Sequence, residues 1–185
     1  MGSAVFKEGK MIGNLTGEET RVALLLDNTS RIEDMYVSYQ DPLKEKYVVG
    51  CRVKKKTATK VKVKLRKGPP LINVRVPIEI EVLSTPSMEN YAEDLEKQTI
   101  LKKRIESETE ENLSRLVKRT QDEFKSEPFY WSLHVRPLFS STKEYEKWDW
   151  TNKRYPFATV NLQVDVEIVG FGKQMKESEM EKVRD

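Results

Sequence analysis

The sequence holds one cysteine, Cys51, and one histidine, His134, in 185 residues. A lone cysteine excludes an internal disulfide, and with a lone histidine it excludes a zinc site built from Cys and His ligands. No apolar run approaches the roughly 18 residues of a membrane-spanning helix. The opening MGSAVFKEGK lacks the apolar stretch of a secretory signal. Net charge of one sign is scarce as well: 33 basic against 30 acidic side chains leave +3, which argues against a globally polycationic nucleic-acid binder. Glycine and proline are absent between Met88 and Lys125, so nothing there breaks a helix.

What is present is alternation. In Val61 to Leu83, the residues Val61, Val63 and Leu65 point one way and Lys60, Lys62, Lys64 and Arg66 the other, the period of two of a half-buried strand. Beyond the turn Lys67-Gly68-Pro69-Pro70, the run Ile72, Val74, Val76, Ile78, Ile80, Val82 repeats the pattern, so the pair reads as a β-hairpin. Pro77 has no N–H to offer a neighbour, which favours a sheet edge or a bulge for its strand. Thr159 to Val169 returns to the same period and predicts a third long strand in this sheet.

The rest of the chain reads as elements packed on that sheet. Ala4-Val5-Phe6 and Met11-Ile12 flank a polar turn and predict a small opening hairpin. Thr16 and Glu19 form a capping box ahead of a short helix that Asp27 to Ser30 ends. Ile32 to Gln40 reads as a strand stopped by Asp41-Pro42. The alternation from Tyr47 to Arg66 is too long for one strand, which predicts a bulge, bend or break near Lys54 to Thr59.

Met88 to about Lys125 reads as one long helix with Thr85-Pro86-Ser87 at its start, and its two ends are expected to pack best. Ser141 and Glu144 give a second capping box before a short helix to about Trp148. Together these predict an α+β fold: a mostly antiparallel twisted sheet of long strands packed by one long helix plus short helices. A single domain over residues 1–172 is expected, followed by a charged tail at 173–185.

Chemistry is sparse. Nothing in the sequence pairs with His134 as a triad, and Cys51 lies on the apolar parity of a strand, where it reads as a buried structural thiol. No catalytic, cofactor-binding or metal-ligating residue is therefore assigned, no cofactor is expected, and the partner-binding residues stay open. The patterns at Asn14, Asn28 and Asn112 match a glycosylation acceptor, a signal short enough to arise by chance.

The basic run Arg52, Lys54, Lys55, Lys56, Lys60, Lys62, Lys64, Arg66, Lys67 could bind phosphates or anionic headgroups. It reads more simply as a charge-paired face, with Lys62, Lys64 and Arg66 beside Glu79 and Glu81, and with Asp165 and Glu167 available from the third strand. Trp131, Trp148 and Trp150, with Phe129, Tyr130, Tyr145, Tyr155 and Phe157, read as core packing in preference to an exposed contact surface.

Read together, AVFKEGKMIGNLTGEETRVALLLDN near the start and KEYEKWDW with YPFATVNLQVDVEIVGFG near the end resemble the C-terminal domain of the Ger(x)C family. These are the C subunits of nutrient germinant receptors in spore-forming bacteria. The shared order is an Ala-Val-Phe-Lys strand, an Ile-Gly-x-Leu strand, a Thr-x-Glu-Glu-Thr helix start, and paired tryptophans before a Val-x-Val-x-Val strand ending near Gly170. The resemblance covers roughly Ser3 to Gly172.

The resemblance implies a non-enzymatic lipoprotein subunit at the spore inner membrane, working with a multi-spanning A subunit and a transporter-like B subunit. Signal peptide, lipobox cysteine and preceding domains are absent from the pattern here, so the chain reads as a C-terminal fragment. Membrane attachment would come only through the lipid anchor of the full-length protein, and no nucleic-acid partner is expected. An anionic-surface binder, for membrane or nucleic acid, using the basic strand 52–67 is the alternative.

Overall fold

A computed structural model describes residues 2–30 and 34–172, so the tail expected at 173–185 lies outside the described residues. Strands β1 (Ser3–Lys7) and β2 (Lys10–Leu15) form the opening hairpin. Its turn residues Glu8 and Gly9 both have positive φ, 50° and 77°, the conformation that matches the twist of two joined strands. Helix α1 (Gly17–Leu26) starts at the expected capping box: the Thr16 hydroxyl accepts from the Glu19 N–H, and the Glu19 carboxylate accepts from the Thr16 N–H.

Then come β3 (Met35–Gln40), β4 (Val48–Lys55), β5 (Lys60–Lys64), β6 (Leu71–Ser84), α2 (Leu95–Arg119), α3 (Ser132–Val135), α4 (Thr142–Trp148) and β7 (Thr159–Phe171). The α+β class is as the alternation and the breaker-free segment predict.

The chain divides into two compact units. One comprises Met1–Arg31, Thr57–Val76 and Glu110–Gln163, the other Ile32–Lys56, Pro77–Thr109 and Val164–Asp185. Strand β6 supplies residues to both. Its first half pairs antiparallel with β5, Val61 facing Val74 and Val63 facing Ile72. Its second half pairs antiparallel with β4, Val53 facing Ile80 and Cys51 facing Val82. The inward alternation of β6 is therefore buried throughout, from Ile72 to Val82.

Pro77 corrects the edge-strand expectation, because β6 is the strand on which β4, β5 and β7 all pair. The proline is tolerated because it falls between the last pair with β5, at Arg75, and the first with β4, at Ile78. Its missing N–H thus costs no ladder bond, while its carbonyl accepts from the Lys56 N–H at 3.0 Å. The predicted break is the same event seen from the partners, since β4 ends at Lys55 and β5 begins at Lys60.

Strand β7 joins the sheet as expected but runs in the same direction as β6. In the first unit the Thr159 N–H donates to the Pro70 carbonyl and Asn161 bonds Asn73; in the second the Gly172 N–H donates to the Val82 carbonyl. Parallel neighbours need a long crossover, and here it holds α2, α3 and α4.

The long helix starts later than Met88. Asp94 caps it, its Oδ1 accepting from the Glu96 and Lys97 N–H groups at 3.0 and 3.1 Å. Upstream, Met88 has φ 60° and belongs to an irregular segment. Burial is also distributed differently from the expectation that both ends pack best: Leu95 is exposed, whereas Leu101, Ile105, Thr109, Leu113, Leu116 and Val117 are buried. The helix closes with a wider turn at Thr120–Phe124, ended by Lys125 in the left-handed conformation.

In the second unit α2 serves the sheet edges. The Glu108 carboxylate accepts from the Gln40 N–H on β3 at 3.2 Å, and the Glu106 carboxylate accepts from the Val166 N–H on β7 at 3.1 Å. Thr109, one residue past Glu108, bonds the buried Tyr39 hydroxyl.

The irregular segment before α2 is held by Asp41, which is fully buried. Its Oδ1 accepts from the Leu43 and Lys44 N–H groups and from the Tyr91 hydroxyl at 2.7 Å, and its Oδ2 from the Ser87 hydroxyl at 2.5 Å. Burial works against the charge, but the two hydroxyls and two amides outweigh it and hold the carboxyl below its usual range.

Asp41→Ala strands two buried hydroxyls and two amides, and should lower unfolding stability by about 3 kcal/mol in urea titration at pH 7. Because the folded-state value is depressed, the stabilisation from Asp41 is present above the unfolded carboxylate value and is lost as pH falls through the folded one. The variant should therefore show a shallower acid-side loss than the parent.

Candidate functional site

The chemistry-bearing residues separate into a buried aromatic centre in the first unit and a charge-laced strand surface that changes character along β6. The aromatic centre follows α2. Glu127, preceding Pro128, turns its carboxylate back onto the chain: Oε1 accepts from the Phe129 N–H at 2.5 Å and Oε2 from the Ser132 N–H at 3.0 Å, with the Trp131 N–H also directed at it. This carboxylate organises the entry to α3. It also fixes Phe129 and Trp131, both fully buried, in ring contact at 5.0 Å.

Ring contacts continue from Trp131 to Tyr155 at 6.3 Å, from Tyr155 to Trp150 at 5.7 Å and from Trp150 to Trp148 at 6.1 Å. They end with Phe139 against Trp148 and Tyr145. Trp131 donates to the Leu26 carbonyl at the end of α1, and Tyr155 shares a 2.5 Å hydrogen bond with the buried Thr120 hydroxyl. The core reading of these aromatics therefore holds for Phe129, Trp131, Trp150 and Tyr155, while Tyr130 and Phe157 are exposed.

Burial raises the Glu127 carboxyl to about 7, with the Trp131, Ser132 and Phe129 amides opposing part of the rise. The Trp150 indole N–H lies toward the same carboxylate without meeting any acceptor in hydrogen-bond geometry. α4 starts at Ser141 as predicted, its hydroxyl accepting from the Glu144 N–H; the return contact of Glu144 goes to the Ser140 N–H, one residue early for a capping box.

The residues weighed for catalysis have structural partners. Cys51 is buried on β4, its thiol pushed up to about 12 by desolvation, which keeps it protonated and unreactive at neutral pH. His134, on α3, is engaged with the Asn28 side chain at 2.5 Å. Among the described residues no group of three or more His, Cys, Asp or Glu side chains could hold a metal ion. Neither is any described helix long and apolar enough to cross a membrane.

The basic run divides where β4 gives way to β5. On β4, Arg52 faces Glu81 across the ladder and bonds its carboxylate, and Lys54 faces Glu79 and reaches Asp34 at 3.3 Å. Lys56 bonds Glu167 of β7. Charge pairing is thus found for this half. For the other half the register overturns it: Lys62 faces Asn73, Lys64 faces Leu71 and Lys60 faces Arg75, so Glu79 and Glu81 serve β4 and not β5.

The sequence reading took Asp41 only as a strand stop and did not single out Glu106, Glu108 or Glu127. Asp41-Pro42 carries a legible sign, since Asp before Pro opens turns by accepting amides ahead of it. The helix carboxylates carry none, because their partners are amides 60 or more residues away.

A family model described as "Spore germination B3/GerAC like, C-terminal" matches residues 1–172. The chain belongs to this family. The GerAC-like domain also has a solved structural relative, the crystal structure of the GerBC protein, with a TM-score of 0.70 and 18% sequence identity over 91% of this chain. At that identity the likeness speaks for the fold. The chain spans 51% of the GerBC chain, about half its length. A comparison with curated protein sequences returns no match.

Glu127 gives this domain a measurable pH response. A carboxyl raised above its unfolded value keeps its proton in the native state after the unfolded chain has lost it, so stability falls as pH rises from about 4.5 to about 7. Urea unfolding at pH 5 and pH 8 should show a loss on the order of 2 kcal/mol from this group. Glu127→Gln should be less stable at pH 5, where its amide accepts fewer N–H groups, and should lack most of this dependence.

Proposed function

We propose that the chain is an interaction domain of the C subunit of a nutrient germinant receptor, required for nutrient-triggered spore germination and without catalytic activity of its own. The match of the GerAC-like, C-terminal family model across residues 1–172 carries this reading. The likeness to GerBC supports the fold on which it rests. In the full-length protein the domain is the soluble part of a lipoprotein held at the spore inner membrane by its lipid anchor, with the receptor A and B subunits as partners.

The use of the polar groups agrees with a binding role. Asp41 and Glu127 spend their carboxylates on backbone amides and hydroxyls of their own units, and His134 spends its ring on Asn28. Each fixes a segment in place. Such groups give a rigid domain with a defined surface, which is what recognition between subunits needs.

The test is deletion of this domain from the full-length subunit in spores, with germination followed by the fall in optical density after nutrient addition. The expected result is loss of the nutrient response down to the level of spores lacking the whole subunit, with the response to a non-nutrient stimulus retained. Wild-type nutrient germination without the domain removes the reading.

A further inference from the structure

The change of charge along β6 marks a surface that strand pairing does not explain. Against β4, β6 sets Glu81 and Glu79 opposite Arg52 and Lys54. Against β5 it sets Arg75, a second basic residue, opposite Lys60. Thr57 to Val76 contains six basic residues and no acidic one, and Trp150 to Gln163, which includes the first half of β7, contains no acidic residue either.

The outward face of this part of the sheet is thus Lys60 and Lys62 with Asn73, Arg75 and Asn161, the two asparagines joined at 3.0 Å. Lys60, Lys62 and Lys64 are exposed, and no carboxylate among the described residues pairs with them. Leu65 follows directly, 41% exposed between Lys64 and Arg66, with Lys67 beyond.

We propose that Lys60, Lys62 and Lys64, continued by Arg66 and Lys67, form a docking strip for the anionic phospholipid headgroups of a bilayer. Alternate residues of a strand stand about 7 Å apart on one face, so the three lysines present a straight row of ammonium groups to a planar charged surface. The exposed leucine within the basic turn suits the boundary between headgroups and acyl chains. Single-stranded nucleic acid fits less well, because this face carries no aromatic side chain to stack on bases, and duplex DNA is set against vesicles in the test. The inference does not depend on the receptor reading, and its test uses the 185-residue chain by itself, so either can fail without the other.

The experiment is cosedimentation with vesicles of phosphatidylglycerol and phosphatidylcholine, against vesicles of phosphatidylcholine alone, at low and physiological salt. The chain should bind the anionic vesicles selectively and more weakly as salt rises. The triple variant K60Q/K62Q/K64Q should lose affinity on the order of a hundredfold, about fivefold per lysine, with an unchanged melting transition. Lys54→Gln, from the same basic run but paired with Asp34, should bind within about twofold of the parent, since it adds little to the free strip. Leu65→Ser should weaken vesicle binding several-fold and leave retention on duplex DNA unaffected.

If the triple variant does not keep its melting transition, Lys62→Gln decides by its own fivefold loss. The proposal is overturned by equal binding to both vesicles, by a triple variant that binds as the parent, or by a Lys54→Gln loss as large as that of Lys62→Gln. Tighter binding to duplex DNA than to vesicles, unmoved by Leu65→Ser, also overturns it.

Discussion

Much of the structure depends on one missing hydrogen. Pro77 cannot donate to a neighbouring strand, and β6 accommodates it by changing partners at that point, from β5 before it to β4 after it. A long strand that would otherwise need one equally long neighbour is served by two shorter ones. The chain between them, Lys56 to Thr59, is the short return that the exchange requires. It follows that the two halves of β6 answer to different chemistry, a salt-bridged ladder in one unit and a cationic face in the other. A proline that reads as a weakness in a strand is thus the place where one sheet acquires two surfaces.

The alternating runs were legible because burial of one face imposes a period of two, and Ile72 to Val82 display it without interruption. Both helix starts governed by a local hydroxyl, at Thr16 and Ser141, were equally legible, since the partners lie within four residues. The start of α2 was misplaced because Thr85, Pro86 and Ser87 carry the same local chemistry as a cap. The Ser87 hydroxyl is drawn instead to Asp41, 46 residues away, and Asp94 takes the capping role. Local signals of equal strength were separated by a tertiary contact, which periodicity cannot report.

The charge pairing of the basic run shows the same limit from another side. Pairing of Glu79 and Glu81 was expected with Lys62, Lys64 and Arg66, whereas these glutamates face β4, where Arg52 bonds Glu81. Which lysines share in it depends on register and on strand order, and neither is written in the alternation of β5 or of β6 alone. The partner exchange at Pro77 moved the glutamates to β4 and left the lysines of β5 opposite Asn73 and Arg75. The direction of β7 was hidden for the same reason, since a parallel and an antiparallel strand carry the same alternation.

The two glutamates that α2 extends to Gln40 and Val166 bear on how this domain meets other chains. Outer strands with free amides recruit any extended segment that passes, and a protein acting within an assembly has to prevent unselective additions. Here one helix, through carboxylates two residues apart, occupies an amide on each outer strand of the second unit, while Lys102 and Arg104 pair with the same carboxylates from one turn earlier. Strand addition at those places would have to displace a charged acceptor.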